Sequence, residues 1–291
     1  MIVVTGATGR LGGLIVRSLV QRSPAAAVGA SVRDPARAGD LAQMGVRVRQ
    51  GDFDDEVSLR HAFEGASQVL LVSSDARREG KDALAQHATA IKAAASVGVR
   101  RIVYTSHMGV RKDSKFPPMS DHVATEELLR GSGVSWTALR NGFYAASAID
   151  LLRDSFKSGQ VALPLDGKVS WTAHEDLAEV AAAILLDEGR FDGPTPPLTG
   201  SQVFDLEDIA AQYSALCGRS MTRVVVNDQD FEASLVHYGV PNTVVPVIMG
   251  LYFASRAGEF AKVDPTLESI LERPSTSMRD LLTPMIESFG T

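Results

Sequence analysis

The chain has 291 residues, of which 45% are hydrophobic and 22% are charged, a balance typical of a folded protein and not of a disordered one. Its 29 basic and 35 acidic residues give a net charge of -6, which argues against a nucleic-acid partner because such proteins usually carry a basic surface. The single cysteine, Cys217, excludes an intrachain disulfide, and the dispersed histidines predict no metal site.

Short apolar strands alternate with amphipathic helices through the first half of the chain. Each predicted strand is mainly β-branched or apolar and is bounded by Gly, Asp or Ser. The strands are predicted over 2–5, 27–32, 46–49, 69–73, 101–106 and 135–139, and the helices over 11–22, 35–44, 56–63, 81–97 and 119–130. Strands that are apolar on both sides and separated by helices imply a parallel sheet covered on both faces. The predicted fold class is therefore α/β, with a doubly wound parallel sheet.

The alternation weakens after residue 139, and mostly helical segments follow. They are predicted over 145–156, 174–186, 206–216, 228–238, 243–257, 267–272 and 277–288. Thr172 and Glu175 are spaced as in a capping box at the start of the second of these helices, and the proline-rich run 194–197 predicts a turn or linker. We expect a first domain over 1–150 and a smaller helix-rich lobe over 151–291 that shares strands with it.

The most informative motif, TGATGRLG, covers residues 5–12 directly after the first predicted strand. A diphosphate reaches the N–H groups at a helix N-terminus only where side chains are absent from the turn. Gly6 permits the tight turn, Gly9 lets the diphosphate approach, and Gly12 lets the helix press on the sheet. The strand, loop and helix occur in the order that a dinucleotide site needs. The predicted cofactor-binding residues of this loop are Gly6, Ala7, Thr8, Gly9, Arg10 and Leu11.

The end of the second predicted strand indicates which dinucleotide binds. A carboxylate there accepts a hydrogen bond from the ribose 2′-hydroxyl of NAD, whereas an arginine accommodates the 2′-phosphate of NADP. Arg33 stands at this position, with Arg37 one helical turn later and Arg10 in the glycine loop, and guanidinium groups bind phosphate well. Asp34 is the competing signal, although it can instead cap the helix that starts at Pro35. We predict NADP(H) as the cofactor, with NAD(H) as the less favoured alternative.

Polar residues also follow the third and fourth predicted strands, at the edge where ligands bind in open α/β sheets. Of the acids after the third strand, we expect Asp54 to cap the next helix. Asp52 then stays free, and with Phe53 it is predicted to flank the adenine. Ser73 and Ser74 close the fourth strand and are predicted to contact the cofactor.

With these residues in place, the chain resembles the NmrA-like group of atypical short-chain dehydrogenase/reductases, in particular NAD(P)H:quinone oxidoreductases of the second type and triphenylmethane reductases. The matching stretches are VTGATGRLG at 4–12, VRDPAR at 32–37, YTS at 104–106, HVATE at 122–126 and LRNGFY at 139–144. The resemblance implies a Rossmann fold and an acceptor pocket supplied by the C-terminal lobe. It also implies cofactor contacts near the nicotinamide from Asn141, Gly142, Phe143 and Tyr144.

The chain departs from that wider superfamily at the proton donor. Ordinary members use a tyrosine whose pKa is lowered by a lysine four residues later, but His122 and Glu126 stand at that spacing here. Reduction of a simple ketone gives a basic alkoxide that needs such an acid, whereas reduction of a quinone gives a weakly basic anion. The candidate catalytic residues are His122, Tyr104 and Ser106. His122 either donates a proton, positions the acceptor, or is a helix residue satisfied by Asp121 or Glu126.

The leading hypothesis is an NADPH-dependent reductase of a small quinone-like or conjugated aromatic acceptor. The absent Tyr–Lys pair also fits a non-catalytic regulator that senses the redox state of NADP(H), and a biosynthetic tailoring reductase is a third possibility. The chain start lacks the pattern of a signal peptide, and the longest apolar run is too short to cross a bilayer. We therefore expect a cytoplasmic protein with no membrane partner, and a homodimer stays open.

Overall fold

The computed structural model describes residues 1–289 and contains a seven-stranded parallel sheet. Its strands are β1 (Ile2–Thr5), β2 (Val28–Val32), β3 (Arg47–Gln50), β4 (Gln68–Leu71), β5 (Arg101–His107), β6 (Ser135–Asn141) and β8 (Gly193–Pro194). They lie in the order β3-β2-β1-β4-β5-β6-β8. The order reverses between β1 and β4, which opens a crevice at the carboxyl ends of these strands. The predicted doubly wound α/β fold is confirmed.

Alternate residues of the strands face two layers of helices, so both faces of the sheet are buried. Val4 packs with Leu11 and Ile15 on one face, whereas Val3 packs with Leu59 and Phe63 on the other. The first layer consists of α1 (Arg10–Arg22), α2 (Gly39–Gln43), α7 (His174–Leu186) and α11 (Thr266–Leu271). The second consists of α3 (Glu56–Phe63), α4 (Ala83–Ser96) and α5 (Met119–Gly131). This two-sided burial explains why the strands read as continuous apolar runs.

A second core lies in the C-terminal part of the chain. Its helices are α6 (Ala145–Ser158), α8 (Leu206–Cys217), α9 (Asp228–His237), α10 (Val245–Arg256) and α12 (Met278–Phe289). The sequence prediction missed a two-stranded parallel sheet here, formed by β7 (Gln160–Leu163) and β9 (Thr222–Val225). Each of these strands has four residues, and pairing partners far apart in sequence leave no local signal.

The C-terminal half also contributes to the main sheet. Helix α7 packs on α1, and β8 pairs in parallel with β6 through Thr137 and Ala138. Pro194, predicted to start a turn or linker, is therefore a strand residue. Within residues 1–289, no helix has the length and apolar character that a membrane span requires.

The predicted capping box at α7 is wrong. The helix begins after Ala173, and no side chain bonds to its first amides. Thr172 Oγ1 instead donates to the carbonyl of Ser170 at 3.1 Å and accepts the Gly200 N–H at 3.0 Å. The Thr172 hydroxyl therefore binds Gly200, a residue distant in sequence, and does not cap the helix.

Candidate functional site

The glycine loop joins β1 to α1 in a conformation that needs glycine. Gly6 has a φ of +59°, which other residues rarely adopt, and its carbonyl accepts the Gly9 N–H at 2.9 Å. A Cβ on Gly12 would lie 2.4 Å from the Gly6 carbonyl oxygen, so the first turn of α1 is pressed against the loop. No side chain caps the helix at Gly9, which leaves its first amides available for an anion.

A cavity of about 710 Å³ runs along the carboxyl ends of β1 to β4. Most of the predicted cofactor residues line it, namely Gly6, Thr8, Gly9, Arg10, Leu11, Arg33, Asp52, Phe53, Ser73, Ser74 and Tyr144. Four do not: Ala7 lines a neighbouring recess, and Asn141, Gly142 and Phe143 lie outside the lining. The sequence thus located the cavity, and individual contacts with a cofactor stay predictions.

Two residues that the sequence analysis missed line this cavity with unpartnered polar atoms. Ser31 Oγ on β2 and His174 Nδ1 at the start of α7 are buried and have no hydrogen-bond partner in the described part of the chain. Burial lowers the pKa of His174 to about 4, and its ring packs on Tyr144 with a centroid distance of 4.2 Å. Because an unpaired buried polar atom is costly, both atoms fit a ligand rich in hydroxyl and phosphate oxygens. The position of Ser31 inside an apolar strand was a signal that could have identified it. Nothing in the sequence distinguished His174.

Charged side chains surround the end of the cavity near β2. Arg33 Nη1 lies 3.2 Å from Glu79 Oε1, and Arg37 lines the same cavity. Asp34 accepts the Ala36 N–H at 3.0 Å and caps a short 3₁₀ turn. Asp34 also lies outside the cavity lining, whereas Arg33 and Arg37 belong to it, so the predicted capping role of Asp34 is confirmed.

The acids after β3 have different roles from those predicted. Asp55 caps α3, because the Asp54 carboxylate instead accepts hydrogen bonds from Lys81 and Gln86, each at 2.7 Å. The prediction that Asp54 caps the helix is therefore wrong. Asp52 is not free as predicted, because its Oδ1 accepts the Asp54 N–H at 3.0 Å, but it lines the cavity as expected.

The two serines after β4 are fixed by hydrogen bonds to neighbouring elements. The Ser73 N–H donates to Thr105 Oγ1 on β5 at 2.8 Å, and the Ser74 N–H donates to His87 Nε2 on α4 at 2.9 Å. His87 must then carry its proton on Nδ1, which lies 2.8 Å from Thr125 Oγ1. Burial lowers the pKa of His87 to about 4, so a neutral imidazole with a fixed tautomer holds this wall of the cavity.

The buried Tyr104 is paired with the partly buried His122. The Tyr104 hydroxyl lies 2.8 Å from His122 Nδ1. Burial raises the pKa of Tyr104 and lowers that of His122 to about 4, so the phenol stays protonated and the imidazole stays neutral. The predicted partners of His122 are wrong, because Asp121 bonds to Arg77 and Glu126 bonds to Ser106 and Arg140. A role for His122 in catalysis stays a prediction.

Ser106 is buried at the end of β5 and faces an ion pair. Its hydroxyl donates to Glu126 Oε1 at 2.7 Å, and Glu126 Oε2 lies 2.8 Å from Arg140 Nη2. With Ser106 only 3% exposed, this geometry favours a structural link between β5, α5 and β6. The catalytic role predicted for Ser106 is untested, and its buried, hydrogen-bonded hydroxyl does not favour it.

His107, which the sequence analysis did not single out, lies beside His122. The two ring centroids are 6.0 Å apart, and His107 also contacts Phe116, Phe143 and Phe260. His107 Nδ1 accepts the Gly109 N–H at 3.1 Å, which places the ring proton on Nε2. Burial lowers its pKa well below the usual value, so a second neutral imidazole borders this aromatic cluster.

Known proteins resemble the chain over almost its whole length. The NmrA-like family model matches residues 1–281. The chain is 31% identical over 281 residues to quinone oxidoreductase 2 of Escherichia coli (strain K12), with 96% of each chain covered. It is 27% identical over 292 residues to NAD(P)H azoreductase of Xenophilus azovorans, covering 100% of this chain and 99% of that one. The crystal structure of Citrobacter sp. triphenylmethane reductase complexed with NADP(H) matches with a TM-score of 0.89 and 31% identity, covering 98% of this chain and 99% of that one.

Proposed function

Because the chain belongs to the NmrA-like family, we propose that it is an NADPH-dependent reductase of a quinone-like or other conjugated aromatic acceptor. Relatives that carry out such reactions cover nearly the whole chain. When bound, the reduced nicotinamide supplies the hydride. The protein residues then have to bind the two reactants, orient them and exclude water.

The observation that carries the proposal is the fit of the glycine loop to a diphosphate. Gly12 leaves room for no side chain against the Gly6 carbonyl, and the amides that follow Gly9 have no capping side chain. These amides bind a negatively charged group at the positive end of α1. Ser31 and His174 supply buried polar atoms for the sugar and phosphate oxygens. The cavity is therefore shaped for a dinucleotide.

The arginines on the cavity favour NADP(H) over NAD(H). Arg33 and Arg37 stand at the end of β2 and on the turn after it, and Arg10 lies in the glycine loop. A 2′-phosphate accepts charge-assisted hydrogen bonds from such groups. Asp34, the competing acid, is already engaged by the Ala36 N–H, which removes the signal for a bare ribose hydroxyl.

Tyr104 and His122, which we assign to the acceptor end of the site, favour positioning of the acceptor over proton donation. With a pKa of about 4, the His122 imidazole is almost entirely neutral at pH 7. The Tyr104 hydroxyl can donate to His122 Nδ1, which would leave the proton of the neutral ring on Nε2, ready to hydrogen-bond an acceptor oxygen. Neither Tyr104 nor His122 is a strong acid at neutral pH, so the site suits an acceptor whose reduced form is weakly basic and takes its proton from water.

Rates of NADPH oxidation with a panel of acceptors test this function. The purified protein is mixed with NADPH and either a benzoquinone, a naphthoquinone or a simple aliphatic ketone, and the reduced-nicotinamide band near ~340 nm is followed. We expect protein-dependent oxidation with the quinones and none above background with the ketone. Tight NADPH binding without oxidation by any acceptor would contradict the reductase and support the regulator.

A further inference from the structure

Glu79 forms an ion pair with Arg33, the residue that binds the 2′-phosphate in the proposed function. Arg33 Nη1 lies 3.2 Å from Glu79 Oε1, and both side chains are substantially exposed, Arg33 at 66% and Glu79 at 46%. Asp52 and Asp75 also line the cavity, yet of the described acids only Glu79 is bonded to Arg33. A carboxylate therefore stands at the position where the cofactor is selected.

Lys81 holds the segment that carries Glu79 in place. Glu79 ends a 3₁₀ turn, Ala76–Glu79, which is followed by Gly80 in a left-handed conformation with φ +70°. Lys81 lies 3.4 Å from Glu79 and 2.7 Å from Asp54. The turn is thereby tied to the loop after β3, and Glu79 is held over the same end of the cavity as Arg33.

We propose that Glu79 is a specificity-determining residue that lowers the ratio of NADPH affinity to NADH affinity. This inference rests on the proposed function, in which Arg33 receives the 2′-phosphate. A 2′-phosphate must displace the Glu79 carboxylate from Arg33 and then stays near a charge of its own sign, which weakens binding. The 2′-hydroxyl of NADH brings no charge, and a carboxylate is the group that accepts its hydrogen bond in NAD-binding sites. Glu79 thus opposes NADPH and supports NADH.

Titration calorimetry of NADPH and NADH with Glu79→Gln tests the proposal without turnover. Glutamine keeps the size of the side chain and removes its charge. We expect the variant to bind NADPH about fivefold more tightly and NADH about twofold more weakly in 10 mM salt, with a smaller NADPH effect in 0.5 M salt because the repulsion is screened. Glu188→Gln is the matched control, since Glu188 pairs with Arg100 outside the cavity.

The outcomes separate this inference from the proposed function. If Glu79→Gln and Glu188→Gln both keep the wild-type ratio of NADPH to NADH affinity while Arg33→Ala lowers it, the role of Glu79 is refuted and NADPH binding stands. If Arg33→Ala leaves the ratio unchanged, the NADP assignment and the role of Glu79 both fail. A higher ratio in Glu79→Gln with a lower ratio in Arg33→Ala supports the inference.

Discussion

Gly12→Ala perturbs the glycine loop by a single methyl group. The added Cβ would lie 2.4 Å from the Gly6 carbonyl oxygen and 2.8 Å from the Gly6 carbonyl carbon. An ordinary contact begins at 3.4 Å, so α1 and the loop must separate by about 1 Å. The obstacle is backbone, which has no rotamer to move into, and the proposed site uses the amides of this loop to bind the diphosphate.

Two consequences of this substitution have calculable sizes. Overpacking of this kind lowers the free energy of unfolding by about 1–3 kcal/mol, which lowers Tm by about 2–10 °C at this chain length. A hydrogen bond to a charged group contributes about 1.5–3 kcal/mol. Loss of one amide contact to the diphosphate therefore raises the Kd for NADPH about ten- to a hundredfold.

Gly39→Ala is the matched control for the added methyl group. No atom lies within 4 Å of a Cβ at Gly39, and its φ of -60° is helical, so alanine there leaves the Kd unchanged and stabilises the fold by about 0.4–1 kcal/mol. Calorimetry with NADPH and urea unfolding are measured on both variants. If Gly12→Ala binds NADPH with the wild-type Kd and unfolds at the wild-type urea concentration, the close packing of loop and helix is not what shapes the site.

Three further predictions concern Arg33, the Tyr104–His122 hydrogen bond and the dependence of stability on pH. Arg33→Ala raises the Kd for NADPH at least tenfold (about 1.4 kcal/mol) and that for NADH less than threefold, by calorimetry; equal losses would refute the 2′-phosphate contact. Tyr104→Phe leaves His122 Nδ1 without its partner and raises the KM for a quinone about fivefold, by about 1 kcal/mol, with an unchanged Kd for NADPH; an unchanged KM would exclude positioning through His122. His87 and His122 have a pKa of about 4 in the folded chain and about 6.5 when unfolded, so unfolding takes up protons between these values. The contribution of these two histidines to the free energy of unfolding is full above about pH 6.5. It falls towards pH 4 by up to about 1.4 kcal/mol per pH unit for each ring. A free energy of unfolding in urea that does not change over this pH range would contradict the low pKa of both rings.

Features with a local cause could be predicted from the sequence. The glycine loop, the strands and the position of Arg33 follow from backbone freedom and from burial on both sheet faces, and the structure places them as expected. Features that depend on contacts between distant segments could not. His107 becomes notable only because β5 ends beside His122, and Glu79 only because its turn returns to β2.

The failed helix caps have the same explanation. Asp54 and Thr172 have side chains suited to capping, but each bonds to a residue from another part of the chain. The spacing of residues in the sequence identifies only those hydrogen-bond partners that are close to a side chain along the chain. It carries no information about a lysine or a loop that folding brings within 3 Å.

A crystal structure of the chain with NADPH tests the central claim most directly. We expect the diphosphate on the amides that follow Gly9, the 2′-phosphate within hydrogen-bonding distance of Arg33, and the nicotinamide at the end of the cavity near Tyr144. Electron density for the dinucleotide elsewhere, or a glycine loop closed by neighbouring side chains with NADPH in excess, would contradict the assignment of this cavity as the coenzyme site.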